Sequence, residues 1–249
     1  MAFLNNGVTG HRGDPQHFPE NTVESFAAAI ELGCDWVETD LRLTRDGRVV
    51  LSHDNHTGRV AEKYLILAEH DAAELRRFNM ATFFNQVHFD RTPVTARLPF
   101  LEEALELFRG QNKTRLSLQP KEPETLPIVA KLCREMHIPQ ELIGFNDGVP
   151  DTVVSARKLF PEAYIFYDVR PRDLDAELAL AEQCDFAEVV VWEYGLTPEI
   201  VARIRERGFV PGVWSPASPA EMDRWLAMDV QRFYTDFPAV LLEKLRARQ

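Results

Sequence analysis

Two runs near the N-terminus, GHRGDPQHFPENTVESF (residues 10–26) and GCDWVETDLRLTRDGRVVLSHD (residues 33–54), decide how this chain is read. Together they hold two histidines, His11 and His53, two alternating carboxylates, Glu38 and Asp40, and Arg12. Each run also carries its own punctuation. Asn21, with Glu24 three residues on, is a capping-box signal for a helix that ends at Gly33. Residues 3–9 read as a first strand leading to His11, and residues 34–43 as a second. Thr44-Arg45-Asp46-Gly47 is a turn signal that folds a short strand at 48–53 back onto the second.

Beyond Asp54 the periodicity fades until about residue 97. That stretch holds Phe78, Phe83, Phe84 and Phe89 and a helical piece around 72–78; it is too long for an ordinary connection and reads as an inserted lobe. Phe83, Phe84 and Phe89 are expected either to wall a pocket or to form the lobe's own core. After the lobe, strands at 114–118, 142–145, 163–167, 186–192, 209–214 and 232–235 alternate with helical segments. Such alternation implies a parallel sheet with helices outside it. About eight units in 249 residues is the arithmetic of a TIM (β/α)8 barrel. A doubly wound open sheet is the competing architecture, but no G-x-G-x-x-G follows the first strand. The expectation is one barrel domain over residues 1–249, with the 54–97 lobe inserted after the second strand.

Composition excludes some partners. The formal net charge is -11 and the pI about 5.2, so an acidic surface repels nucleic acid at long range. Cys34, Cys133 and Cys184 are far apart and show no CxxC spacing, against both a disulfide framework and a zinc site. The N-terminus lacks the features of a signal peptide, and no apolar run approaches the roughly 20 residues of a membrane span. A cytoplasmic protein without membrane insertion is expected; the oligomeric state is open.

In a TIM barrel the chemistry gathers at the C-terminal ends of the strands. There the expected strands place His11 and Arg12, then Glu38 and Asp40, His53, Gln119 and Lys121, Trp214, and Asp236. Side chains two apart on a strand share a face, so Glu38 and Asp40 point together into the mouth. Two such carboxylates suit a hard divalent cation, Mg²⁺ or Ca²⁺; the competing reading pairs them with Arg42 or Arg48. His11 and His53 can exchange protons near neutral pH, and Arg12 and Lys121 can neutralise a phosphate. His17, His56, His70, His88 and His137 have no comparable setting.

These motifs resemble the glycerophosphodiester phosphodiesterase family. His11-Arg12-Gly13 matches its HRG, Pro19-Glu20-Asn21-Thr22 its PENT, Glu38 and Asp40 its E-x-D, and Thr44 to Gly47 its T-x-D-G. His53-Asp54 matches its HD, and Thr235-Asp236-Phe237-Pro238 its closing T-D-x-P. The resemblance implies a TIM barrel that binds a divalent cation through acidic residues, uses two histidines as acid and base, and carries a lobe after the second strand. It implies a small phosphodiester as substrate, with Trp214 beside it, and sn-glycerol 3-phosphate as product if the substrate is typical. One position departs: where the family has E-x-K, this chain has Gln119-Pro120-Lys121, so the third ligand position holds an uncharged amide. Glu122 and Glu193 are candidate compensating ligands. The alternatives are a barrel that binds a phosphorylated ligand without turnover, favoured by Gln119, and a metal-dependent sugar isomerase or aldolase, which leaves HRG, PENT and T-D-x-P unexplained.

Overall fold

Nine strands form in the order that the apolar rhythm predicts: β1 (Val8–His11), β2 (Trp36–Leu43), β3 (Val49–Leu51), β4 (Arg115–Pro120), β5 (Ile143–Asp147), β6 (Tyr164–Val169), β7 (Glu188–Trp192), β8 (Val210–Trp214) and β9 (Arg232–Thr235). The structure is a computed structural model and describes residues 3–214 and 218–248. Eight of the strands pair in parallel around a closed ring, β1-β2-β4-β5-β6-β7-β8-β9 and back to β1; β3 lies outside it, antiparallel to β2. Helices cover the ring, among them α1 (Val23–Leu32) and, after the lobe's short α2 (Ala72–Leu75) and α3 (Thr82–Val87), α4 (Leu101–Arg109). This is the expected TIM barrel, and the hairpin strand is the expected extra.

Alternation along each strand separates two interiors. Outward residues such as Val37, Leu41, Leu116, Leu118, Ile165 and Tyr167 join the helices in one large apolar core. Inward residues stack in layers along the barrel axis. At the N-terminal end, buried Arg232 donates to Asp35 Oδ1 at 2.8 Å and to both oxygens of Glu188 at 2.7 and 3.2 Å. Above it Trp36, Phe166, Val190 and Tyr234 fill the ring, with Trp36 and Phe166 edge to face at 4.9 Å. One further step up each strand reaches the polar residues of the C-terminal mouth.

Local differences from the sequence expectations have simple causes. The first strand starts at Val8, because Asn6 and Gly7 are spent in a turn with Gly7 at φ 79°. Thr22, not Asn21, caps α1: its hydroxyl accepts from Ser25 N at 3.2 Å. The helix does stop at Gly33, whose φ of 93° is the left-handed conformation that favours glycine. Asn21 instead adopts φ 55° and turns its side chain into the barrel. Between β3 and α4, residues 54–97 gather Ala61, Leu65, Leu67, Leu75, Met80, Ala81 and Ala96 around Val50 as a second small core. Phe83, Phe84 and Phe89 are outside that core; Phe89 is 87% exposed, while Phe83 and Phe84 line an apolar groove of about 170 Å³ with Pro15 and Pro19.

Candidate active site

The mouth is shaped first by the backbone after β1. Arg12 takes φ 61° and Gly13 φ 96°, and Arg12 N donates to Glu38 O at 3.1 Å and to Glu38 Oε2 at 3.2 Å. This tight turn lifts the His11 ring over the barrel and swings Arg12 across β2. The Arg12 guanidinium then meets Glu20 at 2.9 Å and Asp40 at 3.3 Å. On the neighbouring strand Gln119 is the register partner of Asp40. Lys121 Nζ lies 2.9 Å from Asp40 Oδ1 and also donates to Gln119 Oε1.

Each histidine leans on a carboxylate. His11 Nδ1 bonds Asp236 Oδ1 at 2.7 Å, and His53 Nδ1 bonds Asp54 Oδ1 at 2.7 Å. Nε2 of each ring is left for other work; that of His11 is 4.0 Å from Glu38. Asp54 is held in turn by Arg59 at 2.7 Å, and Arg59 also clamps Glu20 through both terminal nitrogens. One chain of charge therefore links His53, Asp54, Arg59, Glu20, Arg12 and Asp40. Asn21 closes it from below, donating to Asp40 Oδ2 at 2.8 Å while accepting from Thr39 at 2.7 Å.

The two metal-candidate carboxylates differ in charge balance. Burial and the neighbouring Asp40 push Glu38 up to about 7. For Asp40 burial acts the same way, but Lys121 and Arg12 outweigh it and hold the group well below the ordinary carboxylate range. Glu38 is thus short of positive charge. With an amide at residue 119, no cluster of three His, Cys, Asp or Glu side chains is arranged for a metal among the described residues. Glu38, Asp40 and the Gln119 amide oxygen nevertheless present hard oxygen donors from adjacent strands, and the uncompensated charge of Glu38 suits a cation there. Of the compensating ligands considered, Glu122 is spent on Arg42 at 2.7 Å, and Glu193, buried after β7, is not part of the cavity wall.

His11, Arg12, Glu38, His53, Gln119, Lys121 and Trp214 line one cavity of about 130 Å³. Asp40 lies buried beneath it. The structure thus brings the sequence-predicted residues together, and it adds Asn146, Asp168 and Tyr234 to the wall. Asp168 escaped the sequence because the expected strand at 163–167 stops one residue short of it; the inward series Tyr164, Phe166, Asp168 was the available signal. Trp214 stacks on Trp192 at 6.2 Å, and Trp192 meets Tyr194 at 4.9 Å, an exposed aromatic rim on one side of the mouth. A larger groove of about 880 Å³ runs between the lobe and helices α1 and α4, but it contains none of these groups.

A closed parallel barrel with paired histidines, carboxylates and cations at its C-terminal mouth defines a TIM-barrel enzyme that acts on an anionic group. Residues 11–240 match the model of the glycerophosphoryl diester phosphodiesterase family, and the chain belongs to that family, whose enzymes are phosphoric diester hydrolases. It is 24% identical to the glycerophosphodiester phosphodiesterase of Caldanaerobacter subterraneus over 260 residues, covering 96% of this chain and 97% of the relative. It is likewise 24% identical to the Bacillus subtilis enzyme of that name over 246 residues, 93% of this chain and 83% of the relative. Among solved structures it superimposes with a TM-score of 0.82 and 24% identity on a phosphodiesterase of Oleispira antarctica, 96% of each chain covered; that protein was solved with its product sn-glycerol-3-phosphate.

Proposed function

We propose that this protein hydrolyses a glycerophosphodiester to a phosphomonoester, sn-glycerol 3-phosphate for a substrate typical of the family, and an alcohol. The observation that carries this is the pair of carboxylate-anchored histidines, His11 on Asp236 and His53 on Asp54, facing one cavity that Arg12 and Lys121 also line. One histidine takes the proton of the attacking oxygen; the other protonates the oxygen that leaves phosphorus as the P–O bond breaks. Such a pair contributes about 10²–10⁴-fold per proton transfer. Arg12 and Lys121 bind the phosphoryl oxygens and stabilise their charge. Trp214 packs against the substrate at the rim.

Glu38, Asp40 and Gln119 are the residues that would hold a divalent cation, Mg²⁺ or Ca²⁺; when bound it polarises a phosphoryl oxygen. The family's general dependence on divalent cations supports this assignment. The catalytic unit is the single barrel, with the 54–97 lobe contributing Arg59 to the site's charge chain. Among the described residues no helix is long and apolar enough to cross a membrane, and the three free cysteines suit a cytoplasmic, reducing setting. A second reading, a barrel that binds a phosphorylated ligand without turnover, is favoured by one observation: Lys121 already lies against both Asp40 and Gln119.

The test is phosphomonoester release from a panel of glycerophosphodiesters with Mg²⁺, Ca²⁺ or EDTA. Metal-dependent release, lost in His11→Ala and His53→Ala, is the expected result. Silence in the wild type and in Gln119→Glu alike would favour binding without turnover.

A further inference from the structure

We propose that Asp168, with Asn146 beside it, forms the substrate-recognition wall of this site and accepts hydrogen bonds from the hydroxyls of the glycerol carried by the diester. The inference rests on the site being one for glycerophosphodiesters, and it assigns the half of the cavity that the chemistry leaves unused.

Asp168 ends the inward series of β6, directly above Phe166 of the aromatic layer, and it lines the cavity. Its backbone pairs with β7, but among the described residues its side chain makes neither a hydrogen bond nor an ion pair. That sets it apart from the other carboxylates of the mouth: Asp40 has Lys121 and Arg12, Glu20 has Arg12 and Arg59, Asp54 has Arg59, and Asp236 has His11. Burial first, and then its acidic neighbours Asp147 and Glu38, push its carboxyl up to about 8. A partly buried acid without a partner, set among acids, works against folding; such a group is explained by something that arrives later.

Its chemistry specifies the visitor. Ionised, the group only accepts hydrogen bonds; protonated, it donates one and still accepts at its other oxygen, so in either form it takes a hydroxyl donor. Asn146 has its amide oxygen occupied by Ser117 at 2.9 Å, which leaves the amide nitrogen to donate. The Tyr234 hydroxyl, buried without a hydrogen bond of good geometry beside Ser117, completes a polar wall. Neighbouring hydroxyls of a polyol can donate to Asp168 and accept from Asn146 at once. The remaining wall holds Glu38, Gln119 and Trp214 and, with them, the cations Arg12 and Lys121 and the two histidines. A phosphoryl group is drawn to Arg12 and Lys121 and finds no cation at Asp168, so the two sides orient one molecule in a single direction. At about 130 Å³ the cavity is well below the ~300–1,000 Å³ of a drug-sized site; it suits a short polyol.

The decisive experiment compares sn-glycerol 3-phosphate with methyl phosphate, which has the same charge and no hydroxyls, by calorimetry on the wild type, Asp168→Ala and Asp168→Asn. The wild type should prefer the glycerol ester about tenfold to a hundredfold, the range of one hydrogen bond to a charged acceptor. Both variants should lose that preference while binding methyl phosphate as well or better, and the asparagine variant should melt no lower than the wild type. In turnover, KM for a glycerophosphodiester should rise by the same factor, and by more than KM for methyl p-nitrophenyl phosphate does. A wild type without preference, variants that keep it, or equal losses on both ligands with weakened metal affinity would each overturn the assignment. If the wild type cleaves no diester yet shows the preference and loses it in the variants, the recognition wall stands and the hydrolytic reading falls.

Discussion

Replacing Asp236 with asparagine preserves the outline of the side chain and removes a charge from His11. Asp236 Oδ1 lies 2.7 Å from His11 Nδ1, and the Asp236 side chain is 41% exposed. For a carboxylate that open to water the screening is strong, and two unit charges at this separation interact by about 1.5 kcal/mol. That is about one pH unit. Burial pulls the His11 pKa down, but the Asp236 hydrogen bond and the Glu38 and Asp236 charges outweigh burial and Arg12, so the group is raised. Without Asp236 the pKa falls, and the imidazolium is lost at lower pH. In a pH profile of kcat/KM the limb governed by His11 should therefore move down by about one unit. It is the alkaline limb if His11 gives a proton and the acid limb if His11 takes one, so the experiment also assigns the role. The rate at the optimum should fall roughly 10–100-fold, because an amide can turn either its oxygen or its NH2 to the ring and no longer fixes one tautomer. Asp54→Asn should move the opposite limb through His53. Lower activity with both limbs unmoved, or a limb moved upward, would refute the reasoning.

Three other perturbations separate the parts of the molecule. Gln119→Glu restores a third carboxylate beside Asp40, and calorimetry should show the divalent cation binding at least about tenfold tighter, since a hard cation gains a charged oxygen ligand. Arg232→Met strands Asp35 and Glu188 without their cation at the base of the barrel. Unfolding in urea should show a loss of about 3–5 kcal/mol, or a fall of roughly 6–20 °C in Tm, and kcat of the folded fraction should stay at the wild-type value. Gly13→Ala places a methyl group 2.7 Å from the backbone carbonyl carbon of Ser25 at a φ of 96°. The turn that positions His11 and Arg12 should yield, and activity should fall further than Tm does.

Much of the site was legible because its parts lie at strand ends, and strand ends follow from apolar rhythm and turn residues. His11, Glu38, Asp40, His53, Gln119, Lys121 and Trp214 all fall where alternation put them. Asn21 shows the limit. As a helix cap it was a sound local reading, since asparagine at the start of an apolar helix period is a capping signal. Thr22 takes that role only because Asn21 is drawn into the barrel by Asp40 and Thr39, residues on another strand. The lobe aromatics were ambiguous for a similar reason: composition marks them as apolar, while burial depends on which face the barrel covers.

By itself the sequence determined the alternation of strands and helices, and with it the barrel, because periodicity is local and each residue carries its own share of it. It also determined which residue types reach the mouth. Closure of the ring decided the rest. Only when β9 pairs with β1 does Asp236 reach His11, 225 positions away in the chain. Only when β6 faces the strands across the barrel does Asp168 share one cavity with His11, Arg12, His53 and Lys121, without a side-chain partner among the described residues. Hydrogen-bond partners and charge balance are pairwise and fall off within a few ångströms, so they are set by distances that the folded chain creates.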